Sequence, residues 1–239
     1  INGFVVIPWD FPAFRDVMQQ ALDDGIKIVF VDHDLPGMEI SSVAADHYTG
    51  GYKATTHLLD NHQGPVYYVG STSAPASCKG RYDGWRAAMT DHGFTHLNRY
   101  VYEISRSDQE LSGTMPESPQ MIHQHKETAI RLFNSEASRP YCIFTSADNV
   151  ARGVYEAAAE MNLSVGQDIF ITGYGDKPFA AKLPVPLTSV FTDDEKIGYE
   201  AMRMLYNQLM GAGSNTIHRV MPVSLQIRAS SLFPAARKK

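Results

Sequence analysis

The chain has 239 residues and a formal net charge of −5, enough length for one large α/β domain or two smaller lobes whose core needs no disulfide or metal. No apolar run approaches the roughly 20 residues of a membrane span. No long basic run precedes the terminal Arg237-Lys238-Lys239, which argues against a DNA-binding surface within this sequence. Cys78 and Cys142 are the only cysteines, a usage that suits a reducing cytoplasm better than a disulfide scaffold. The opening Ile1-Asn2-Gly3-Phe4 carries neither an initiator Met nor the charged stretch and cleavage site of a secretory signal, so a fragment or a processed chain is expected.

In chain order, apolar runs and amphipathic stretches alternate. Phe4-Val5-Val6-Ile7-Pro8 is a short apolar run ending in Pro. Phe14, Val17, Met18, Ala21 and Leu22 then share one helical face, with Gly25 placed to end the helix. Ile28–Val31 is a second continuous apolar run, the pattern of a parallel strand buried on both faces. Helix is expected over 49–60, strand over Val66–Val69, helix over 80–91 and strand over Tyr100–Tyr102. The Ser-, Asp-, Glu-, Gly- and Pro-rich Ser105–Pro119 is expected as a surface insertion. Helix follows at 121–134, strand at Tyr141–Phe144, helix at 149–161, strand at Ile169–Thr172, helix at 194–210, and a closing strand at Val220–Leu225. Strands separated by helices imply an α/β fold of parallel sheets flanked by helices, with right-handed crossovers.

Polar residues gather after the strands, where such sheets bind ligands. Asp32-His33-Asp34 follows Val31, and Gly70-Ser71-Thr72-Ser73 follows Val69. Thr145 through Asn149 follows Phe144, and Gly173-Tyr174-Gly175-Asp176 follows Thr172. Asp32 is either a loop carboxylate or an acceptor for ligand hydroxyls. Arg81 is either an exposed helix arginine or a planar fork of donors for vicinal oxygens. Asp148 and Asn149 most simply cap the helix that follows them. Neither His123 and His125 nor His92 and His96 have a third ligand at metal-binding spacing, so no metal site is expected. The Gly173–Gly175 stretch lacks the helix start and acidic partner of a cofactor loop, and no nucleophile–base set can be assembled. Binding without a cofactor is therefore expected, not catalysis. Trp85, Phe94, Tyr155 and Tyr199 suit core or interface roles on helices.

Taken in order, several segments resemble the LacI/GalR repressors, whose sensing domain is similar to periplasmic sugar-binding proteins. They are Asn2–Pro8, Asp46 through Ala54 with His57-Leu58-Leu59, the Arg-x-x-Gly stretch Arg81-Tyr82-Asp83-Gly84-Trp85, and Phe144–Gly153. The set continues with Gly173-Tyr174-Gly175-Asp176, Pro186-Leu187-Thr188-Ser189-Val190, Ile197-Gly198 and Pro222–Leu225.

This resemblance implies a two-lobed periplasmic-binding-protein-like fold with an effector in the cleft between the lobes. The N-terminal lobe is expected at 1–45 and 190–220, incomplete at its start, and the C-terminal lobe at 46–189 and 221–239. Asp32 and Arg81 match effector-binding positions of the family. Ala147 and Gly175 fall where some members carry a ligand-binding Asn and Asp, and Asp148 and Asp176 lie beside them as further candidates. A small sugar or polyol effector is implied, changing the angle between the lobes. Operator DNA would be bound through an N-terminal head absent from this sequence. A homodimer is implied too, with the helix at 12–23 and the segment 190–221 as candidate contacts, in the cytoplasm and away from any membrane. A periplasmic receptor of a transport system is the alternative on the same fold. The 186–190 stretch and the Arg81 helix favour the regulator.

Overall fold

The computed structural model describes residues 1–8, 12–32, 34–73, 76–104, 118–135, 139–212 and 215–232. The strands are β1 (Gly3–Val6), β2 (Lys27–Val31), β3 (Ser41–Ala45), β4 (Val66–Gly70), β5 (Val101–Glu103), β6 (Tyr141–Thr145), β7 (Ile169–Gly175), β8 (Thr188–Phe191), β9 (His218–Met221) and β10 (Ser224–Gln226). The helices are α1 (Pro12–Asp23), α2 (His47–Asn61), α3 (Ala76–Asp91), α4 (Pro119–Phe133), α5 (Asp148–Glu160) and α6 (Asp194–Leu209). These elements fall into two units, Ile1–His47, Ser73–Ser77 and Thr192–Val223 in one, and Tyr48–Thr72, Cys78–Phe191 and Ser224–Lys239 in the other. The expected insertion at Ser105–Pro119 lies outside the described residues as far as residue 117.

The first unit is built on a parallel sheet of order β1-β2-β3-β9. Ile28, Val29 and Phe30 of β2 are fully buried, as a continuous apolar run in a two-sided parallel sheet requires. α1 lays Met18 against Ile28 and Phe30, with Phe14, Ala21 and Leu22 half-buried beside them. Val17 is the exception on that face and points to solvent. The helix ends as its sequence suggests: Gly25 takes a positive φ, and the Gly25 and Ile26 N–H groups donate to the Leu22 and Ala21 carbonyls.

The second unit has a sheet of order β10-β8-β7-β6-β4-β5, parallel throughout except for β10. One core joins Tyr67, Ile143, Ile169 and Ile171 of the sheet to Leu132 and Phe133 of α4 and to Val150, Val154 and Ala157 of α5. Another group of large side chains, Tyr68, Phe144 and Trp85, is also fully buried, and the Trp85 Nε1–H donates to the Val66 carbonyl at 2.9 Å. α2 and α3 meet backbone to backbone. A Cβ on Gly51 would collide with the Arg81 carbonyl, and one on Gly84 would collide with the Tyr48 carbonyl. No residue larger than glycine allows that approach.

The structure departs from the sequence reading in several places. The closing strand expected over Val220–Leu225 is two strands, β9 in the first sheet and β10 in the second, parted at Pro222, which has no N–H for a ladder. β3 and β8 were not expected: their Ser- and Thr-rich stretches are almost wholly buried, because their hydroxyls find partners inside. β7 continues through Gly173-Tyr174-Gly175 instead of stopping at Thr172. Trp85 and Tyr155 are buried as expected; Tyr199 is exposed on α6, which excludes the core half of its core-or-interface reading, and Phe94 follows the end of α3.

A buried polar seat ties the segment after β10 to the second sheet. The Thr188 N–H donates to Ser230 Oγ at 2.8 Å, and that hydroxyl donates to the Ile171 carbonyl at 2.7 Å. Ser231 Oγ meets Thr188 Oγ1 at 2.6 Å and His57 Nε2 at 2.8 Å, and the His62 Nε2–H donates to the Ser231 carbonyl at 2.8 Å. The His62 ring stacks on Phe170. Both imidazoles are held below their ordinary range. Burial and then the neighbouring His62 act on His57; burial acts on His62 against the pull of the Ser231 carbonyl.

Two outcomes follow from this packing. Gly84→Ala forces α2 and α3 apart and is expected to cost about 1–3 kcal/mol, the range for overpacking a close contact, read as a lower urea midpoint at unchanged slope. For the histidines, a depressed folded-state pKa means that the unfolded chain binds more protons below about pH 6.5. The stability from this seat is complete above that pH and is lost as pH falls from about 6.5 through the folded-state values. The urea midpoint should therefore be lower at about pH 5.5 than at about pH 7.5, and the difference should shrink in the His57→Gln/His62→Gln double variant. An undiminished difference in that variant would assign the acid sensitivity to other groups.

Candidate functional site

The five parallel strands of the second sheet end on one edge, so the residues after β4, β6 and β7 gather where open α/β sheets receive ligands. Arg81, in the first half of α3, reaches this edge. Its Nη1 donates to the Ser146 carbonyl at 2.7 Å, and its guanidinium lies over the Tyr174 ring at 4.0 Å from the centroid. That side chain in turn packs against α2, where a Cβ on Gly50 would stand 2.6 Å from its Cε2. Helix backbone, aromatic ring and guanidinium thus form one stack, which holds the cation by its face as well as by its N–H groups.

Asp148 is 1% exposed. It is the first residue of α5 but does not cap it: the N-cap is Ala147, whose side chain offers no acceptor. The carboxylate accepts instead from Ser189 Oγ at 2.6 Å and from the Lys177 N–H at 2.7 Å. Gly173 leaves room for it, since a Cβ there would strike Asp148 Oδ1. Burial pushes the Asp148 carboxyl above the usual carboxylate range, against the opposing effect of the two hydrogen bonds. Asp176 adopts a left-handed φ of 46°, and Arg228 grips its carboxylate with two nitrogens at 2.6 and 3.1 Å. Gly175, with φ 115°, and the half-buried Ala147 add no side-chain polar atom to this edge.

Asp32 belongs to the first unit, just past the end of β2. It too is left-handed, at φ 75°, a conformation that Asp tolerates better than most residues. The His47 Nε2–H is shared between the Asp32 carbonyl at 2.9 Å and its carboxylate at 3.1 Å. The imidazole is nearly buried while the Asp32 side chain is 34% exposed, so the carboxylate is oriented from within and reachable from outside.

Of the residues singled out from the sequence, Arg81, Ala147, Asp148, Gly175 and Asp176 thus lie on one edge of the second sheet, and Asp32 lies at a strand end of the first. Tyr174, Ser146, Ser189, Arg228 and His47 also build these places and were not singled out. For Tyr174 the signal was present, an aromatic residue bracketed by glycines at a strand end. Ser189 and Arg228 come from 41 and 52 residues away from their partners, beyond any local pattern.

Residues 39–231 match the periplasmic binding protein-like domain family. The chain is 26% identical over 210 residues to the HTH-type transcriptional repressor PurR of Glaesserella parasuis serovar 5 (strain SH0165), covering 88% of this chain and 54% of that protein. It is 29% identical over 185 residues to the ribose operon repressor of Escherichia coli (strain K12), covering 77% of this chain and 48% of that protein. The chain therefore spans about half the length of the curated relatives it matches. Among solved structures, a LacI family transcriptional regulator from Enterococcus faecium with bound ribose aligns with a TM-score of 0.82 at 18% identity, over 98% of this chain and 81% of that one. The transcription regulator CcpA of Lactococcus lactis aligns with a TM-score of 0.80 at 21% identity, over 97% of this chain and 78% of that one. The repressor relatives and the shared fold agree with the family match: the chain belongs to the periplasmic binding protein-like domain family.

Proposed function

We propose that this chain senses a small, neutral, hydroxyl-bearing effector, a sugar or related polyol, for a transcriptional repressor. The observation that carries the reading is Arg81, a fork of donors fixed on Tyr174 and the Ser146 carbonyl at the ligand-receiving edge of its sheet. In the first unit, Asp32 offers an acceptor of its own, oriented by His47. Asp148 and Asp176 hold the frame, their carboxylates already engaged by Ser189, Lys177 and Arg228. The ribose operon repressor among the relatives and the ribose bound to the Enterococcus faecium regulator support a sugar of monosaccharide size.

The role is binding, not catalysis, in the cytoplasm. Among the described residues no helix is long and apolar enough to cross a membrane. Operator DNA is met through a head outside this sequence and as a homodimer, with α1 and the segment 190–221 as candidate contacts. Effector and operator affinities are then coupled reciprocally, each changing the other by the same factor.

A thermal-shift screen of mono- and disaccharides, sugar phosphates and nucleosides tests this reading. A ligand at 100 times its dissociation constant stabilises by about 2.7 kcal/mol, a rise of roughly 5–10 °C for a domain of this size. Asp32→Asn, which keeps a residue tolerant of the left-handed turn, and Arg81→Lys, which keeps the charge and loses the fork, should each weaken a sugar hit tenfold or more. Asp148→Ala should behave differently, costing about 1–3 kcal/mol of stability by stranding buried donors. A screen with no sugar or polyol hit, or a hit indifferent to both Asp32→Asn and Arg81→Lys, would sink the reading.

A further inference from the structure

Apart from these residues, the first unit contains a hollow of about 210 Å³ between the flank of α6 and the segment leading into β9. Three of its polar side chains, Glu200, Arg203 and Asn207, follow one another at helical spacing and so share a face of α6. Arg219 of β9 closes the other side, and Met204 and Ile217 supply apolar wall. The Glu200 side chain is only 12% exposed, and one of its oxygens, Oε2, accepts from both Arg203 Nη2, at 2.6 Å, and Arg219 Nη1. One carboxylate thus serves two guanidiniums, and the charged lining keeps one positive charge in excess in a chain of net charge −5.

We propose that this hollow is a second small-molecule site, for a small organic monocarboxylate such as a hydroxy- or keto-acid. Each guanidinium has donors beyond the one it gives Glu200, and the planar fork matches a carboxylate bidentately. Glu200 holds both forks in place in advance, which lowers the ordering cost of capture. A single surplus charge suits a monoanion. A dianion would meet Glu200 as well as the arginines, and a neutral sugar would leave the surplus cation unanswered. Met204 and Ile217 favour a short carbon skeleton, and the Asn207 amide can pair with a hydroxyl or keto oxygen. The volume lies below the roughly 300–1,000 Å³ of pockets for drug-sized ligands, which limits the occupant to a few carbons. The site shares no residue with the effector-binding groups named above and extends beyond that reading; it lies within the segment 190–221 proposed there as a dimer contact, so the titration below reads it in the chain as it assembles in solution.

The probe is pyruvate, titrated into the ¹⁵N-labelled chain while the arginine Nε–H resonances are followed, with neutral pyruvamide as control. The Arg203 and Arg219 resonances, assigned through Arg203→Gln and Arg219→Gln, should move saturably with a dissociation constant of about 1 mM. Pyruvamide should move neither. Each variant, checked for an unchanged thermal midpoint, should weaken pyruvate binding tenfold or more, and Arg219→Lys should not restore it because the fork is lost. Asp32→Asn should leave pyruvate binding unchanged, which separates this site from the effector site. The proposal is overturned by no saturable movement up to about 10 mM, by an equal response to pyruvamide, by binding retained in both glutamine variants, or by its loss in Asp32→Asn.

Discussion

The contact on which the candidate site depends is the meeting of α2 and α3 at Gly51 and Gly84, where each helix receives a carbonyl of the other in place of a side chain. Packed helices ordinarily stand about 8–10 Å apart, separated by their side chains. Glycines at the crossing remove that spacer, at a cost of roughly 1 kcal/mol per helix-interior glycine in propensity. The return is positional. The Arg81 carbonyl is the group seated on Gly51, so the residue whose side chain reaches the sheet edge is located by its own backbone. One residue earlier in α2, Gly50 admits the Tyr174 ring, and that ring supports the Arg81 guanidinium. A free arginine side chain carries about 2 kcal/mol of rotamer entropy; here much of that is surrendered on folding, before any ligand arrives.

The acidic residues divide along a related line. Asp148 and Asp176 lie at the same edge as Arg81, yet their oxygens are bound within the protein, to the Ser189 hydroxyl, the Lys177 N–H and the Arg228 fork. An ionised carboxylate buried as deeply as Asp148 is tolerable only with such partners. Asp32 differs because His47 approaches it from the interior side and a third of its side chain stays exposed. Both Asp32 and Asp176 sit in left-handed backbone. There the chain turns sharply after a strand and aims a short polar side chain where a regular strand or helix would not.

These divisions explain what was and was not legible in the sequence. Continuous apolar runs such as Ile28–Val31 and Tyr141–Phe144 declared themselves as buried parallel strands, because burial on both faces leaves no polar alternation to misread. β3 and β8 did not, because Ser41, Ser42, Thr188 and Ser189 mimic loop composition and are buried only by virtue of partners elsewhere, Gln208, His218, Ser230 and Asp148 among them. The same long reach explains Asp148. Local chemistry makes it a helix cap, and a serine 41 residues onward draws its carboxylate inward instead. Arg81 and Asp32 had even-handed or bland local readings, and only the ordered set of family-like segments raised them.

Pre-placement of charge has a consequence for what the sheet edge can discriminate. A neutral hydrogen bond to a sugar hydroxyl contributes only about 0.5–1.5 kcal/mol net, whereas one to a charged partner contributes about 1.5–3 kcal/mol. Arg81 at this edge offers the charged kind, with geometry set by Tyr174 rather than by the ligand, and Asp32 of the first unit is oriented in the same way by His47. A sugar lacking the matching hydroxyl does more than forgo a bond. It covers a donor or a carboxylate and leaves it unanswered, the situation in which polar sites reject analogues most strongly. Ala147 and Gly175 add no competing polar group at this edge. Selectivity on this reading comes from a few rigid charged groups read against the hydroxyl pattern of the ligand, with the aromatic and glycine framework setting their positions.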